Sequence, residues 1–146
     1  MKIRLTGILI EEGKILLLEQ GLGFESKRKY SLPGGTLEEN ETVYDCIKRE
    51  MREETGLEVE PTRLLYICDR ITPEVHVLHI TFEVRRIGGQ LMVDGTSRDS
   101  RKIHSAKMVS LDKLQNYGFS QKFYQLTTEN FPDAGTYQGD IKNIGL

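Results

Sequence analysis

The chain has 146 residues, of which 38% are hydrophobic and 29% charged, and its formal net charge is -2. These values predict a single domain over residues 1–146 and exclude a low-complexity or fibrous chain. The nearly balanced charge gives no reason to expect nucleic acid or an anionic membrane as a partner, and no apolar run is long enough to span a bilayer.

Apolar runs near the start of the chain predict short strands. We expect strands over Ile3 to Ile10 and Lys14 to Leu18. The polar segment Glu19 to Lys29 predicts a loop, which is either a solvated connection or a basic rim, including Arg28, that meets substrate phosphates. Tyr30 follows in a third short strand, where core packing is favoured over stacking on a base.

A helix is predicted from about Thr42 to Thr55. Thr42 and Asp45 resemble a capping box, and Gly56 suits a left-handed residue after the helix end. At 100° per residue, one arc of about 120° contains an apolar half followed by an acidic half, namely Val43, Cys46, Ile47, Glu50, Glu53 and Glu54. Because Cys46 lies in this arc, we expect Cys46 and Cys68 to be buried thiols in a reducing cytoplasm.

The acidic half of this arc predicts a metal site. Since the apolar half should face a core, Glu50, Glu53 and Glu54 should also point toward the protein, where three close carboxylates repel one another. Mg²⁺ or Mn²⁺ takes oxygen ligands and removes this conflict. The preceding Leu32-Pro33-Gly34-Gly35 predicts a tight turn that lets the backbone approach a ligand. The alternative is a solvated acidic helix end.

The second half of the chain predicts more strands and one further helix. Strands are expected over Leu57 to Cys68 and Val75 to Val84, with a loop from Asp69 to Glu74 between them. His76 and His79 are expected to be surface residues or hydrogen-bonded core residues rather than ligands.

The C-terminal part predicts a strand over Lys107 to Ser110 and a helix over Ser120 to Thr128. The tail from Phe131 is too polar for a helix, and we expect it to pack on the surface or on a partner subunit. Strands combined with one central and one late helix predict an α/β fold whose sheet is covered on both sides.

The segment from Gly35 to Leu57 resembles the Nudix box, G-x5-E-x7-R-E-U-x-E-E-x-G-U, in which U is a bulky aliphatic residue. Every fixed position matches, as shown by Gly35, Glu41, Arg49, Glu50, Met51, Glu53, Glu54, Gly56 and Leu57. The resemblance implies an α/β/α sandwich on a mixed sheet, in which the box forms a loop-helix-loop motif. It also implies metal-dependent hydrolysis of a nucleoside diphosphate linked to another group, by attack of water on phosphorus.

The resemblance implies roles for the matching residues. Glu50, Glu53 and Glu54 would bind Mg²⁺ or Mn²⁺, and Glu53 or Glu54 would also orient or deprotonate the water. Arg49 would hold these glutamates by charge-assisted hydrogen bonds. The auxiliary groups would be Glu41 and a backbone carbonyl of Gly34 or Gly35.

Several points stay open at this level. A general base from a later loop could be Asp94, Asp99 or, less favoured, His104. Pro73 lies at a distance past the box that is associated with ADP-ribose hydrolases, but nucleotide sugars, nucleoside triphosphates and dinucleoside polyphosphates remain candidates. The alternative function is a nucleotide-binding regulatory module with little turnover, although such a module would be expected to have lost box carboxylates. Relatives often form homodimers.

Overall fold

Two β-sheets, two α-helices and two short 3₁₀ helices form the part of the chain that this computed structural model describes, residues 1–21, 28–92 and 104–146, with the backbone alone for Arg28 and His104. The strands are β1 (Lys2–Ile8), β2 (Ile10–Glu11), β3 (Lys14–Gly21), β4 (Arg28–Ser31), β5 (Gly34–Thr36), β6 (Leu57–Ile71), β7 (His76–Gly89), β8 (His104–Ser110) and β9 (Thr136–Asp140). The α-helices are α1 (Val43–Thr55) and α2 (Gln121–Thr128), and the 3₁₀ helices are Leu111–Tyr117 and Ile141–Ile144. None of the described helices has the length and apolar character needed to cross a membrane.

The larger sheet is mixed, as predicted. Its strand order is β5-β1-β7-β6-β9, with β1 parallel to β7 and β6 parallel to β9, while β1–β5 and β6–β7 are antiparallel. The strand predicted over Val75 to Val84 is confirmed as part of β7, which lies in the middle of this sheet. In the smaller sheet, β3 pairs antiparallel with β8 along its length and with β2 and β4 at its two ends.

Strand β3 is buried on both faces and separates two apolar clusters. Leu16 belongs to the cluster that contains Ile47 of α1, whereas its neighbour Leu17 belongs to the cluster that contains Phe123 of α2. Since successive side chains of a strand point to opposite faces, the two helices cover opposite sides of the strands. This arrangement is the α/β/α sandwich that the sequence predicted.

Local signals set both ends of α1. The Thr42 hydroxyl accepts a hydrogen bond from the Asp45 N–H at 3.0 Å, and Gly56 has a φ of 80° with its N–H bonded to the Arg52 carbonyl. A side-chain cap of this kind contributes about 1 kcal/mol to helix stability. The predicted helix limits are therefore confirmed, and they hold the acidic side chains in register with β5.

The predicted loop from Asp69 to Glu74 is wrong in its first half, because β6 continues through Ile71 and pairs with β7 as far as His76. Asp69 is tolerated there because its carboxylate is hydrogen-bonded to His76 Nε2 at 2.6 Å and to the Tyr137 hydroxyl. These partners come from the two flanking strands, so the sequence near Asp69 does not reveal them.

The tail from Phe131 adds more to the fold than surface packing. Its residues Thr136–Asp140 form β9 as an edge strand beside β6, and Phe131 and Ile144 are buried in the cluster around Phe123. Polar residues suit an edge strand, since one of its sides faces water. The Tyr66 hydroxyl also donates to the Pro132 carbonyl at 2.6 Å, which fixes the start of the tail.

Both thiols are expected to be inert in the folded protein. Cys46 and Cys68 are free and no more than 1% exposed, and burial raises their pKa values to about 12 and about 11. Because the thiolate is the reactive form, labelling with a thiol reagent at pH 8 should proceed only through opening of the fold. We expect both thiols to react within seconds in denaturant and neither to do so in buffer; fast labelling of one native thiol would contradict its burial.

Candidate active site

Gly34 and Gly35 lie in the edge strand β5 rather than in the predicted tight turn. They pair with Thr6 and Leu5 of β1, and neither has a positive φ. Glycine is required here because of close approach: a Cβ on Gly34 would lie 2.1 Å from the Leu5 carbonyl oxygen, and one on Gly35 would lie 2.2 Å from the carboxyl carbon of Glu50. The absence of side chains therefore lets helix α1 bring its acids against the strand.

Arg49 binds three of the carboxylates predicted for the site. Its Nε and Nη2 donate to the two oxygens of Glu41 at 2.6 and 3.1 Å, and its Nη1 donates to Glu50 at 2.9 Å and to Glu53 at 3.3 Å. The bidentate pair with Arg49 lowers the pKa of Glu41 to about 2. The side chains of Glu41 and Glu50 are 12% and 14% exposed, whereas Glu53 is 58% exposed and differs from the predicted inward orientation.

Glu54 lies on the opposite side of the cluster, against β5. Its Oε1 accepts a hydrogen bond from the Gly34 N–H at 2.8 Å. Burial raises the pKa of Glu54 to about 7, the charges of Glu50 and Glu53 add to this effect, and the Gly34 N–H and the charge of Arg4 oppose it. The ionised form of Glu54 is therefore poorly compensated by the protein alone, which is the situation that a nearby cation relieves.

The donor chemistry fits a hard divalent cation. Carboxylates on consecutive turns of α1 and the backbone of β5 offer oxygen ligands, which Mg²⁺ and Mn²⁺ prefer. Within residues 1–21, 28–92 and 104–146, however, no three acidic, histidine or cysteine side chains are already arranged around one point as a metal site. The reason is visible in the hydrogen bonds, because Glu41, Glu50 and Glu53 turn toward Arg49 and Glu54 turns toward Gly34.

Other predicted site residues have different outcomes. The hydroxyl of Tyr30 donates to Glu19 at 3.0 Å, and its ring packs edge-on against Tyr117, so the residue supports the core and also lines a cavity. Asp94 and Asp99 lie outside the described residues, as do the side chains of Arg28 and His104.

Sequence reasoning did not single out Arg4, and it expected His79 to be a surface residue or a hydrogen-bonded core residue rather than a ligand. Arg4 of β1 and His79 of β7 are neighbours on parallel strands, and both line a cavity of about 290 Å³ next to β5. Arg4, which lines the cavity, donates to the Gly34 carbonyl at 3.4 Å, and the N–H of the same glycine donates to Glu54. The cavity therefore lies close to Glu54. The available signal was a charged or polar residue inside each of two strands that are otherwise rich in apolar residues.

Comparisons with known proteins show what this chain is similar to. A family model described as the NUDIX domain matches residues 1–128. An ADP-ribose pyrophosphatase from Methanocaldococcus jannaschii is 34% identical over 122 residues, which cover 82% of this chain and 68% of that protein. The NAD-capped RNA hydrolase NudC from Stutzerimonas stutzeri is 30% identical over 110 residues, and the match covers 75% of this chain but 39% of NudC.

A solved structure supports the fold. The MutT protein from Bacillus halodurans superposes with a TM-score of 0.71 at 18% identity, over 95% of this chain and 88% of that structure. At this level of identity the likeness establishes the shared fold alone. It is consistent with the order of strands and helices described above.

Proposed function

This chain belongs to the Nudix family of hydrolases, and from that premise we propose that it hydrolyses the diphosphate of a nucleoside diphosphate linked to another group, with Mg²⁺ or Mn²⁺ as cofactor. The observation that carries the proposal is the complete set of box acids gathered between Arg49 and the glycines of β5. A regulatory module would have no need to keep a buried carboxylate whose pKa is raised. The buried free thiols are compatible with a cytoplasmic location.

The proposed roles are those that membership of the family suggests for the residues of the box. Glu50, Glu53 and Glu54 would hold the cation together with substrate oxygens, and a Gly34 or Gly35 carbonyl could join them. A bound divalent cation neutralises charge that develops on phosphate and lowers the pKa of water. Arg49 positions the glutamates, and Glu41 anchors Arg49 through its bidentate contact.

In this protein, Glu54 is the candidate for orienting and deprotonating the attacking water. Its burial and its contact with the Gly34 N–H fix the carboxylate against the strand, whereas Glu53 is largely exposed. A carboxylate held in this way can orient a water molecule and accept its proton.

ADP-ribose is the first substrate to test, because the relative from Methanocaldococcus jannaschii is named an ADP-ribose pyrophosphatase. Pro73 fits the same expectation by its position in the sequence, although it lies exposed in the short connection between β6 and β7. The relationship to NudC adds NAD-capped RNA to the candidates.

The proposal is tested by product release from a substrate panel with Mg²⁺, Mn²⁺ or EDTA. The panel holds ADP-ribose, nucleotide sugars, dinucleoside polyphosphates, normal and oxidised nucleoside triphosphates, and NAD-capped RNA. We expect metal-dependent release of a nucleoside monophosphate from ADP-ribose or a nucleotide sugar. Tight nucleotide binding without turnover of any compound would instead support the regulatory module.

A further inference from the structure

A groove with a volume of about 500 Å³ lies between the end of the β6–β7 hairpin and the C-terminal tail. The hairpin contributes Arg70 to its wall, and the tail contributes Asp140 and Lys142. The tail lies beyond residue 128, where the match to the family model ends. One wall of the groove is therefore formed by a part of this chain that the family model does not describe.

The groove carries positive charge that the protein does not neutralise. Arg70 and Lys142 are exposed, and neither side chain forms an ion pair or a hydrogen bond with the part of the chain that the structure describes. Asp140 is the one acidic side chain among the described residues of the wall, and it accepts a hydrogen bond from the Lys142 N–H at 2.8 Å. Two cations against one carboxylate in a concave site favour an anionic ligand.

The groove adjoins the cavity beside the acidic cluster. Three residues line both spaces, namely His79, Ile141 and Leu146. Burial lowers the pKa of His79 and the charges of Arg4 and Arg70 lower it further, so positive potential is present on both sides of this residue. Arg4 donates to the Gly34 carbonyl at 3.4 Å, and the Gly34 N–H donates to Glu54. A path for an anionic ligand therefore leads from the acids of α1 to the groove.

We propose that the groove binds a phosphate group of the substrate that is not part of the cleaved diphosphate, and that Arg70 and Lys142 hold this phosphate. The inference rests on the proposed function and deepens it, because it favours nucleotides that carry a further phosphate, for example on the ribose. Arginine can donate two hydrogen bonds to phosphate oxygens, and lysine binds them as a point charge. A substrate without this group leaves both cations unpaired.

The experiment measures binding by calorimetry in EDTA at low salt, so that turnover is not needed. The probes are AMP, adenosine 2′,5′-bisphosphate, adenosine 3′,5′-bisphosphate and inorganic phosphate. At least one bisphosphate should bind to wild type about tenfold more tightly than AMP, which is the effect of a charge-assisted hydrogen bond. This ratio, the phosphate gain, should fall to about twofold or less in about 0.5 M KCl, because salt screens exposed charges.

Substitutions in the groove test the two cations. Arg70→Gln and Lys142→Gln should each reduce the phosphate gain about threefold, and the double variant should remove it. Lys113→Gln is the charge-matched control and should keep the gain, because Lys113 is exposed and lines neither the groove nor the cavity. All these variants should unfold at the temperature of wild type, since no contact within the described residues is lost.

Inorganic phosphate distinguishes a group of the substrate from a separate ligand. An excess of inorganic phosphate should reduce the phosphate gain, because the ion competes for Arg70 and Lys142. Binding of inorganic phosphate that depends on Arg70, without a gain for either bisphosphate, would show that the groove holds a free ion and would overturn its assignment to the substrate.

The failures of the two proposals are distinguishable. A phosphate gain that the double variant loses, without metal-dependent turnover of any panel compound, would overturn the proposed function and keep the groove as a site for a nucleotide phosphate. Metal-dependent turnover together with equal binding of AMP and both bisphosphates, no binding of any probe, or a gain that the double variant retains would overturn the groove assignment alone.

Discussion

Glu54→Gln is expected to lose turnover by a factor of about 10² to 10⁴ while the metal-free protein stays at least as stable as wild type. The amide oxygen can still accept the hydrogen bond from the Gly34 N–H, so the contact with β5 is kept. The substitution also removes a buried charge that lies near Glu50 and Glu53. Residues kept for function rather than stability show this combination of lost activity and unchanged or raised stability.

The measurement pairs steady-state kinetics with thermal unfolding, each with and without Mg²⁺. Wild type should be stabilised by Mg²⁺, because a ligand that binds only the folded state raises the unfolding temperature, and Glu54→Gln should lose most of this shift. Glu58→Gln is the control, since Glu58 forms an ion pair with Arg52 outside the cluster and such exposed pairs contribute little. Normal turnover in Glu54→Gln, or a large fall in its metal-free stability, would rule out the assigned role.

Helix α1 could be predicted because its determinants are local. Thr42 caps the first turn, Gly56 ends the last turn, and the acidic and apolar residues repeat at helical spacing. The same periodicity predicted that Cys46 lies in the core and that Glu50 points toward the protein, and both predictions are confirmed. Helix existence and limits follow from residues within a few positions of each other, so a single sequence is enough.

The features that sequence reasoning missed depend on partners distant in the chain. Gly34 and Gly35 are predicted to form a turn, but they pair with β1 and form a strand. Asp69 is predicted to lie in a loop, but it lies in β6, where its carboxylate accepts a hydrogen bond from Tyr137, 68 positions away in the chain. His79 is expected to be a surface residue or a hydrogen-bonded core residue, but its Nε2 is buried and has no hydrogen-bond partner in the described part of the chain.

Gly35→Ala is expected to lower turnover by about 10², although it removes no functional group. The added Cβ would lie 2.2 Å from the Glu50 carboxyl carbon, so the carboxylate must move by an ångström or more. Displacement of this size in a positioned group can lower a rate by about 10². Because the flexible end of a side chain can yield, we expect destabilisation of only about 1–3 kcal/mol.

Alanine substitutions of two other strand glycines serve as comparisons for Gly35→Ala. In Gly34→Ala the Cβ would meet the Leu5 carbonyl oxygen at 2.1 Å, and because that atom is backbone, β5 should detach from β1 and the protein should fold poorly. In Gly88→Ala the nearest atom is Cβ of Glu58 at 3.8 Å, so turnover and stability should stay close to wild type.

The role of Glu50 in the Gly35→Ala effect is isolated by a double-mutant cycle. In an Glu50→Ala background the colliding carboxylate is gone, so adding Gly35→Ala should lower turnover no further. If Gly35→Ala lowers the already reduced rate of Glu50→Ala by the same factor as in wild type, the glycine acts through the backbone of β5 and not through the carboxylate. Non-additivity would instead establish that position 35 lacks a side chain so that Glu50 fits against β5, which gives a physical reason why both positions are fixed in the Nudix box.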